Sequence, residues 1–406
     1  MTPSRSRILN CIGSAFGLDP RRRFAAWVQA AIWSGSGARY TYHPKEFALR
    51  RPGTDHVVFL GNIFATCQTL TRSVQRQQIA GLVHSLVEAT ETLPATFGQA
   101  RAVLMPLVRS MADWHAMQLY GEQQGQAVAM GPPGIRIGEE LGVWLALDRP
   151  KSLSHLKAST LDSWAVDFAT AFAAAEENLR ALTARPFERP DDGLYASSWH
   201  DAYDSSRLLL ADLTRSLPLD GAPVAMVPNR DWLLVADGAK PAALERLGAL
   251  ATEIFSLPRP LSSVLLRLGP QGWETMPLDP SRPEQRLLVA LQRRDLTGRY
   301  AEQKRLLDEL HQTTGDSVFV ASVFQVDDAV AGPYTIAVWG NGARVLLPRV
   351  DRIGFKDTPE APVQQVPWNE AASLAGSLMR PMGWFPERWL VEAYPEPAVI
   401  AQMAKA

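Results

Sequence analysis

Asp201-Ala202-Tyr203-Asp204-Ser205-Ser206-Arg207-Leu208-Leu209-Leu210, followed by Val227-Pro228-Asn229-Arg230-Asp231-Trp232-Leu233-Leu234-Val235-Ala236-Asp237, is the stretch on which the reading of this chain turns. Its first block sets acids and hydroxyls ahead of an apolar run, the pattern of a helix start, and predicts a helix over residues 204–217. The second block closes a pair of short apolar runs, 223–228 and 231–237, which read as strands joined at Asn229-Arg230. A strand at 194–197 precedes them. A helix over Pro241–Phe255, with proline at its first position, follows, and then strands 261–268 and 273–277 meet across Gly269-Pro270-Gln271-Gly272. Strands and helices mixed in this order describe an α+β fold, with mixed or antiparallel sheets packed against helices.

Upstream, residues 20–33 read as a helix capped by Asp19, with Phe24, Trp27, Val28 and Ile32 in one stripe. A hairpin about His43-Pro44-Lys45, a strand at 55–60 and one long or two abutting helices over 62–91 come next. Then come a strand at 101–109, a Gln- and Gly-rich loop at 120–134, a strand at 141–147 and an amphipathic helix at 161–182. Downstream, residues 283–312 form a charge-rich helix read as a solvated face. Strands at 317–325, 334–339, 343–347 and 350–355 follow, and Gly340-Asn341-Gly342 predicts a hairpin between the second and third. A Pro-rich loop at 357–367, a helix at 368–379 and an aromatic tail at 381–397 complete the reading. The chain of 406 residues exceeds what one core usually serves, roughly 250–300 residues, so two or three modules are expected. They are read as an extension at 1–19, an α+β part at 20–185, the signature-bearing part at 186–280 and a C-terminal α+β domain at 281–406.

A net charge of −1 lacks the basic field on which nonspecific nucleic-acid binding relies, so no nucleic-acid partner is expected. Cys11 and Cys67 stand far apart with no CxxC pairing, which points to reduced cytoplasm rather than a disulfide framework or a thiolate zinc site. The apolar segment 8–18 is interrupted by Asn10, Gly13 and Gly17, too short and broken for an export signal or a membrane span.

The run Asp201-x-Tyr203-Asp204-x-Ser206-Arg207-x-Leu209 with Val227-Pro228-x-x-Asp231-x-Leu233-x-x-Ala236-Asp237 resembles the signature of the YtpQ-like bacterial family, a domain of unknown function. Fainter echoes lie at Pro106-Leu107-Val108-Arg109-Ser110, Ala146-Leu147-Asp148 and Phe59-Leu60-Gly61-Asn62. The resemblance spans roughly residues 20–280. It brings no activity and no catalytic residue, and the stretch beyond Pro280 departs from the short family members.

Two readings of the signature stand side by side. In the structural one, Asp201 or Asp204 caps the helix, Asp204 and Arg207 pair three apart on its surface, Tyr203 packs its ring against Leu210, and Asp231 and Asp237 bracket a buried strand. In the functional one, His200, Asp201, Asp204, Ser206 and Arg207 form a polar lip that receives an anion. Asp231 or Asp237 then joins Asp201 and Asp204 to hold a divalent cation, giving a metal-assisted hydrolase of an anionic small substrate. No phosphate loop, dinucleotide fingerprint, zinc-protease helix or nucleophile elbow occurs, and no histidines fall at i, i+4, so no cofactor or resident metal is expected. Twelve tryptophans are unusual, and Trp368, Trp384, Phe385 and Trp389 crowd the C-terminal tail, as core or as an exposed patch for a protein partner. The leading expectation is a noncatalytic protein that acts through such a partner.

Overall fold

The computed structural model describes residues 19–54, 57–68, 70–88, 93–125, 131–149, 152–328 and 332–404. Cys11, the segment 8–18, the first residues of the strand expected at 55–60 and part of the 120–134 loop lie outside these residues. The fold is α+β. The chain divides into two compact units: Met1–Met105 with Leu145–Asn178, and Pro106–Trp144 with Leu179–Ala406.

In the first unit the helix Pro20–Ser36 starts where Asp19 Oδ1 accepts the Arg21 N–H at 2.9 Å and stops at Gly37, whose φ of 67° suits glycine. Its buried residues, Phe24, Ala25, Val28 and Ile32, repeat at helical spacing and meet Leu49, Leu60, Ile79 and Val83 in one core. The hairpin Thr41–His43 with Ala48–Arg50 forms as expected and Val57–Phe59 joins it, antiparallel. The 62–91 region is two helices, Gly61–Gln68 and Arg72–Glu88. A second core gathers Leu104, Leu145, Leu147, Leu156, Leu161, Ala171 and Ala175. The single helix expected at 161–182 is instead Ala158–Ser163 and Phe168–Ala181. Ala165 breaks it at a φ of 53°, and Asp167 Oδ1 caps the second piece by accepting the Thr170 N–H at 2.8 Å.

In the second unit a six-stranded antiparallel sheet runs in the order Gly272–Thr275, Leu266–Gly269, Pro223–Asn229, Trp232–Asp237, Leu194–Ala196, Glu188–Asp191. The register sets Val224 opposite Ala236 and Met226 opposite Leu234, and carries on to Leu194 and Ala196. Period-two alternation therefore lines one face with these six side chains. Helix Pro241–Phe255 buries Leu244, Leu247, Ala251 and Ile254 against that face.

Four expectations are corrected in this unit. The helix predicted at 204–217 is a 3-10 turn, Ser205–Leu209, and a short helix, Ala211–Arg215, because Leu210 leaves helical geometry at ψ 68°. The 120–134 loop loses its start to helix Met111–Gln123, which begins where Ser110 Oγ accepts the Ala112 N–H. No hairpin forms about Gly340-Asn341-Gly342. Strand Gly332–Gly340 instead pairs in parallel with Arg352–Lys356, while Val345–Pro348 lies in a different sheet between Phe319–Val320 and Arg388–Val391. All four residues of Val345–Pro348 are buried, a two-sided burial that an edge hairpin would not give. Finally, the 357–367 loop contains the strand Gln364–Pro367.

Candidate functional site

The signature folds into a lattice centred on Arg207, which is fully buried. Its guanidinium donates to both Asp201 carboxylate oxygens, at 2.8 and 2.6 Å, to Thr183 Oγ1 at 2.9 Å and to the Leu182 carbonyl at 3.3 Å, and it lies 4.3 Å over the Trp199 ring. A bidentate fork of this kind is the strongest form of ion pair available to arginine. Partial burial works to raise the Asp201 carboxyl, but the Arg207 fork and the Tyr203 N–H outweigh it and hold it below the usual carboxylate range.

Asp204 does not cap the turn that follows it. Its oxygens turn back to accept the N–H groups of His200 and Asp201, at 3.2 and 3.3 Å. His200 and Ala202 sit at φ 52° and 70°, a left-handed backbone that non-glycine residues adopt at a cost, and the two aspartates stabilise it. That reversal brings Asp201 to Arg207, so the expected Asp204–Arg207 surface pair is replaced by a buried Asp201–Arg207 pair.

Asp231 and Asp237 do bracket the strand Trp232–Asp237, and each has its own task. Asp231 pairs with Arg259 at 3.2 Å. Asp237 accepts the N–H groups of Asp220, Gly221 and Ala239 at 2.8, 3.0 and 3.0 Å, and these outweigh the effect of burial to hold its carboxyl low. Among the described residues no group of three histidine, cysteine or acidic side chains is arranged to hold a metal ion.

Three sequence blocks converge here. Ser206 Oγ accepts the Val108 N–H at 3.2 Å, and the Arg230 carbonyl accepts the Ser205 N–H at 3.3 Å. The end of strand Leu104–Ser110, the signature turn and the Asn229-Arg230-Asp231 turn thus meet, with Tyr203 buried among them at 5% exposure.

A neighbouring group of charges was hidden from sequence reasoning. Arg299, on helix Arg286–Thr314, donates to Asp295 Oδ1 at 2.8 Å, to the Leu261 carbonyl at 2.8 Å and to Ser110 Oγ at 3.1 Å. It lies 3.4 Å from Glu140 and 3.5 Å from Asp113. Ser262 donates to Glu140 Oε2 and Ser263 to Asp295, both at 2.6 Å. Burial opposes the Arg299 charge, but the three carboxylates more than offset it and raise its pKa. For Glu140, burial prevails and pushes the carboxyl up to about 7. Asp295 and Arg299 are spaced i, i+4 on a helix that reads as solvated, and nothing in their spacing distinguishes them from the exposed pair Arg305–Glu309.

The aromatic tail is mostly core. Trp368 is 4% exposed and its ring centroid lies 4.7 Å from that of half-buried Trp389. Phe385 packs with Met111, Ala112 and Trp144, and its N–H donates to His115 Nδ1 at 2.8 Å. Burial pushes that imidazole down to about 4 and keeps it neutral. Trp384 lines a groove of about 650 Å³, whose walls include Leu119, Leu310, Val318, Met382 and Leu390. No protein-family model, no curated protein and no solved structure matches the chain.

Proposed function

We propose that this chain is a YtpQ-like bacterial protein of the cytoplasm that works without catalysis, by holding an apolar segment of a protein partner in the groove beside Trp384. The groove carries this reading. Its lining is largely leucine, valine, methionine and tryptophan, and also includes Arg344, Arg380, His311, Glu122 and Asp316. Burying a tryptophan and several leucines against a partner is the kind of contact that dominates protein association. The family assignment is supported by the meeting of Pro106-Leu107-Val108-Arg109-Ser110 with both signature blocks through the Ser206 and Arg230 hydrogen bonds. The cytoplasmic assignment is supported by the buried, unbridged Cys67, and no helix among the described residues is long and apolar enough to cross a membrane. A metal-assisted hydrolase needs uncommitted acids between Asp201 and Asp237, and those acids are committed to Arg207, Arg259 and backbone N–H groups.

Photocrosslinking tests the reading. With a benzophenone amino acid at position 384 in the full chain, one protein should be captured that a control label at exposed Leu287 does not capture, and excess unlabelled chain should compete it away. Identical captures from both positions, or none from 384, would reject the groove as the binding surface.

A further inference from the structure

We propose that the end of strand Leu104–Ser110 and the Asn229-Arg230-Asp231 turn form an oxyanion site, in which Arg109 and Arg230 receive a phosphate group. Arg109 is 7% exposed, and its one side-chain hydrogen bond among the described residues is to the carbonyl of its own neighbour, Val108, at 2.8 Å. Arg230 is half-buried, makes no side-chain hydrogen bond or ion pair among the described residues, and has its Nε sealed from solvent. Neither guanidinium has a carboxylate within 4 Å among the described residues.

Arginine stays charged in proteins, so two such groups close enough to repel each other, neither in an ion pair among the described residues, carry a cost that a bound anion would reduce. The direction of the Arg109 shift agrees: burial first, and the Arg230 charge second, push it down to about 9. The other buried arginines are fully served by comparison. Arg207 has Asp201, Arg299 has three carboxylates, and Arg388 donates to Gln303 and to the carbonyls of Ala321, Leu346 and Tyr300. A second unpaired group lies in the same turn. The hydroxyl of Ser205, whose N–H bonds the Arg230 carbonyl, is buried without a hydrogen-bond partner among the described residues.

The acids facing the pair set the class of anion. Asp231, held by Arg259, and Asp113, held by Arg299, both act on Arg109 and Arg230 through their charge. Asp113 and Asp231 each keep solvent access, with side chains 50% and 31% exposed. Monohydrogen phosphate can accept from two guanidiniums and donate its remaining proton to such a carboxylate. Sulfate and acetate have no proton to donate at neutral pH and meet only repulsion there. The free ion carries that proton at neutral pH, and a monoester carries it only as its monoanion, below a second pKa of about 6.

Calorimetric titration of the full chain with inorganic phosphate, phenyl phosphate, sulfate and acetate tests the site. Saturable phosphate binding is expected, at least tenfold tighter than sulfate or acetate, and weakened at least tenfold in Arg230→Gln. The melting temperature of that variant without phosphate should stay close to that of the parent, since Arg230 makes no side-chain hydrogen bond or ion pair among the described residues for the substitution to break. Phenyl phosphate binding tenfold tighter than phosphate would identify a monoester ligand, and equal or weaker binding the free ion. Absence of saturable phosphate binding, parent-like binding by R230Q, or sulfate binding as tightly as phosphate would each overturn the proposal. Arg109→Gln should show the same loss, and R230Q decides the matter if that more buried variant does not fold.

Discussion

Arg207, Arg388 and Arg109 are all buried, and the fold meets their charges by different means: a carboxylate fork, a ring of carbonyls and a glutamine, and a single neighbouring carbonyl. The first arrangement makes the role of Asp201 measurable. Asp201→Asn keeps the size of the side chain but leaves a fully buried guanidinium without a counter-charge. Breaking such a pair costs about 3–5 kcal/mol when both partners are buried, and we expect about 3 kcal/mol here because Asp201 is 32% exposed. Urea unfolding of the variant would show it, and a loss below about 1 kcal/mol, the range of surface ion pairs, would mean that the fork contributes as they do. The residues of this lattice were legible in the sequence but their partners were not. Spacing three apart implies a shared helix face only if the backbone is helical. The left-handed His200 and Ala202 turn the chain so that the true pair is six apart.

At the scale of elements, legibility followed the locality of the cause. Helix Pro241–Phe255 was readable to its ends because its N1 proline and its apolar spacing are written in its own residues. The turn at Gly340-Asn341-Gly342 was also readable as a turn. Which strands pair around it was not, because the partners of Gly332–Gly340 and Val345–Pro348 come from Arg352–Lys356 and Arg388–Val391. Helix Met111–Gln123 escaped notice because its buried residues, among them His115, Leu119 and Gly121, make no strong apolar stripe. The end of strand Trp232–Asp237 offers a test of one close approach. A Cβ on Gly221 would lie 2.5 Å from Ala239 Cβ, 2.8 Å from Ala239 N and 2.9 Å from Asp237 Oδ1. Gly221→Ala must therefore displace the loop that Asp237 gathers, at a cost of about 1–3 kcal/mol. Thermal unfolding checks this, and an unchanged midpoint would show that the loop yields freely.

For the molecule as a whole, the buried charges about Arg299 join Ser110, Asp113 and Glu140, from the segment Pro106–Trp144, to loops and a helix made much later in the second unit. They also make stability depend on pH. The Glu140 carboxyl is raised to about 7 in the folded chain, above the unfolded value near 4.3. Its contribution is fully present below the unfolded value and is lost as pH rises through the folded one. Glu140→Gln is neutral throughout, so the parent should lose melting temperature relative to this variant between pH 5 and pH 8. A difference that stays constant over that range would show that Glu140 is ionised in both states. The same interleaving bears on how the protein is made. Leu119 completes its core with Leu346 and Leu390, which leave the ribosome roughly 230 and 270 residues later. At about 5–20 residues per second, helix Met111–Gln123 waits ~14–54 s for the last of these partners during translation, with its apolar face incompletely covered. That interval of exposure is set by the topology of the chain, not by the stability of the finished fold.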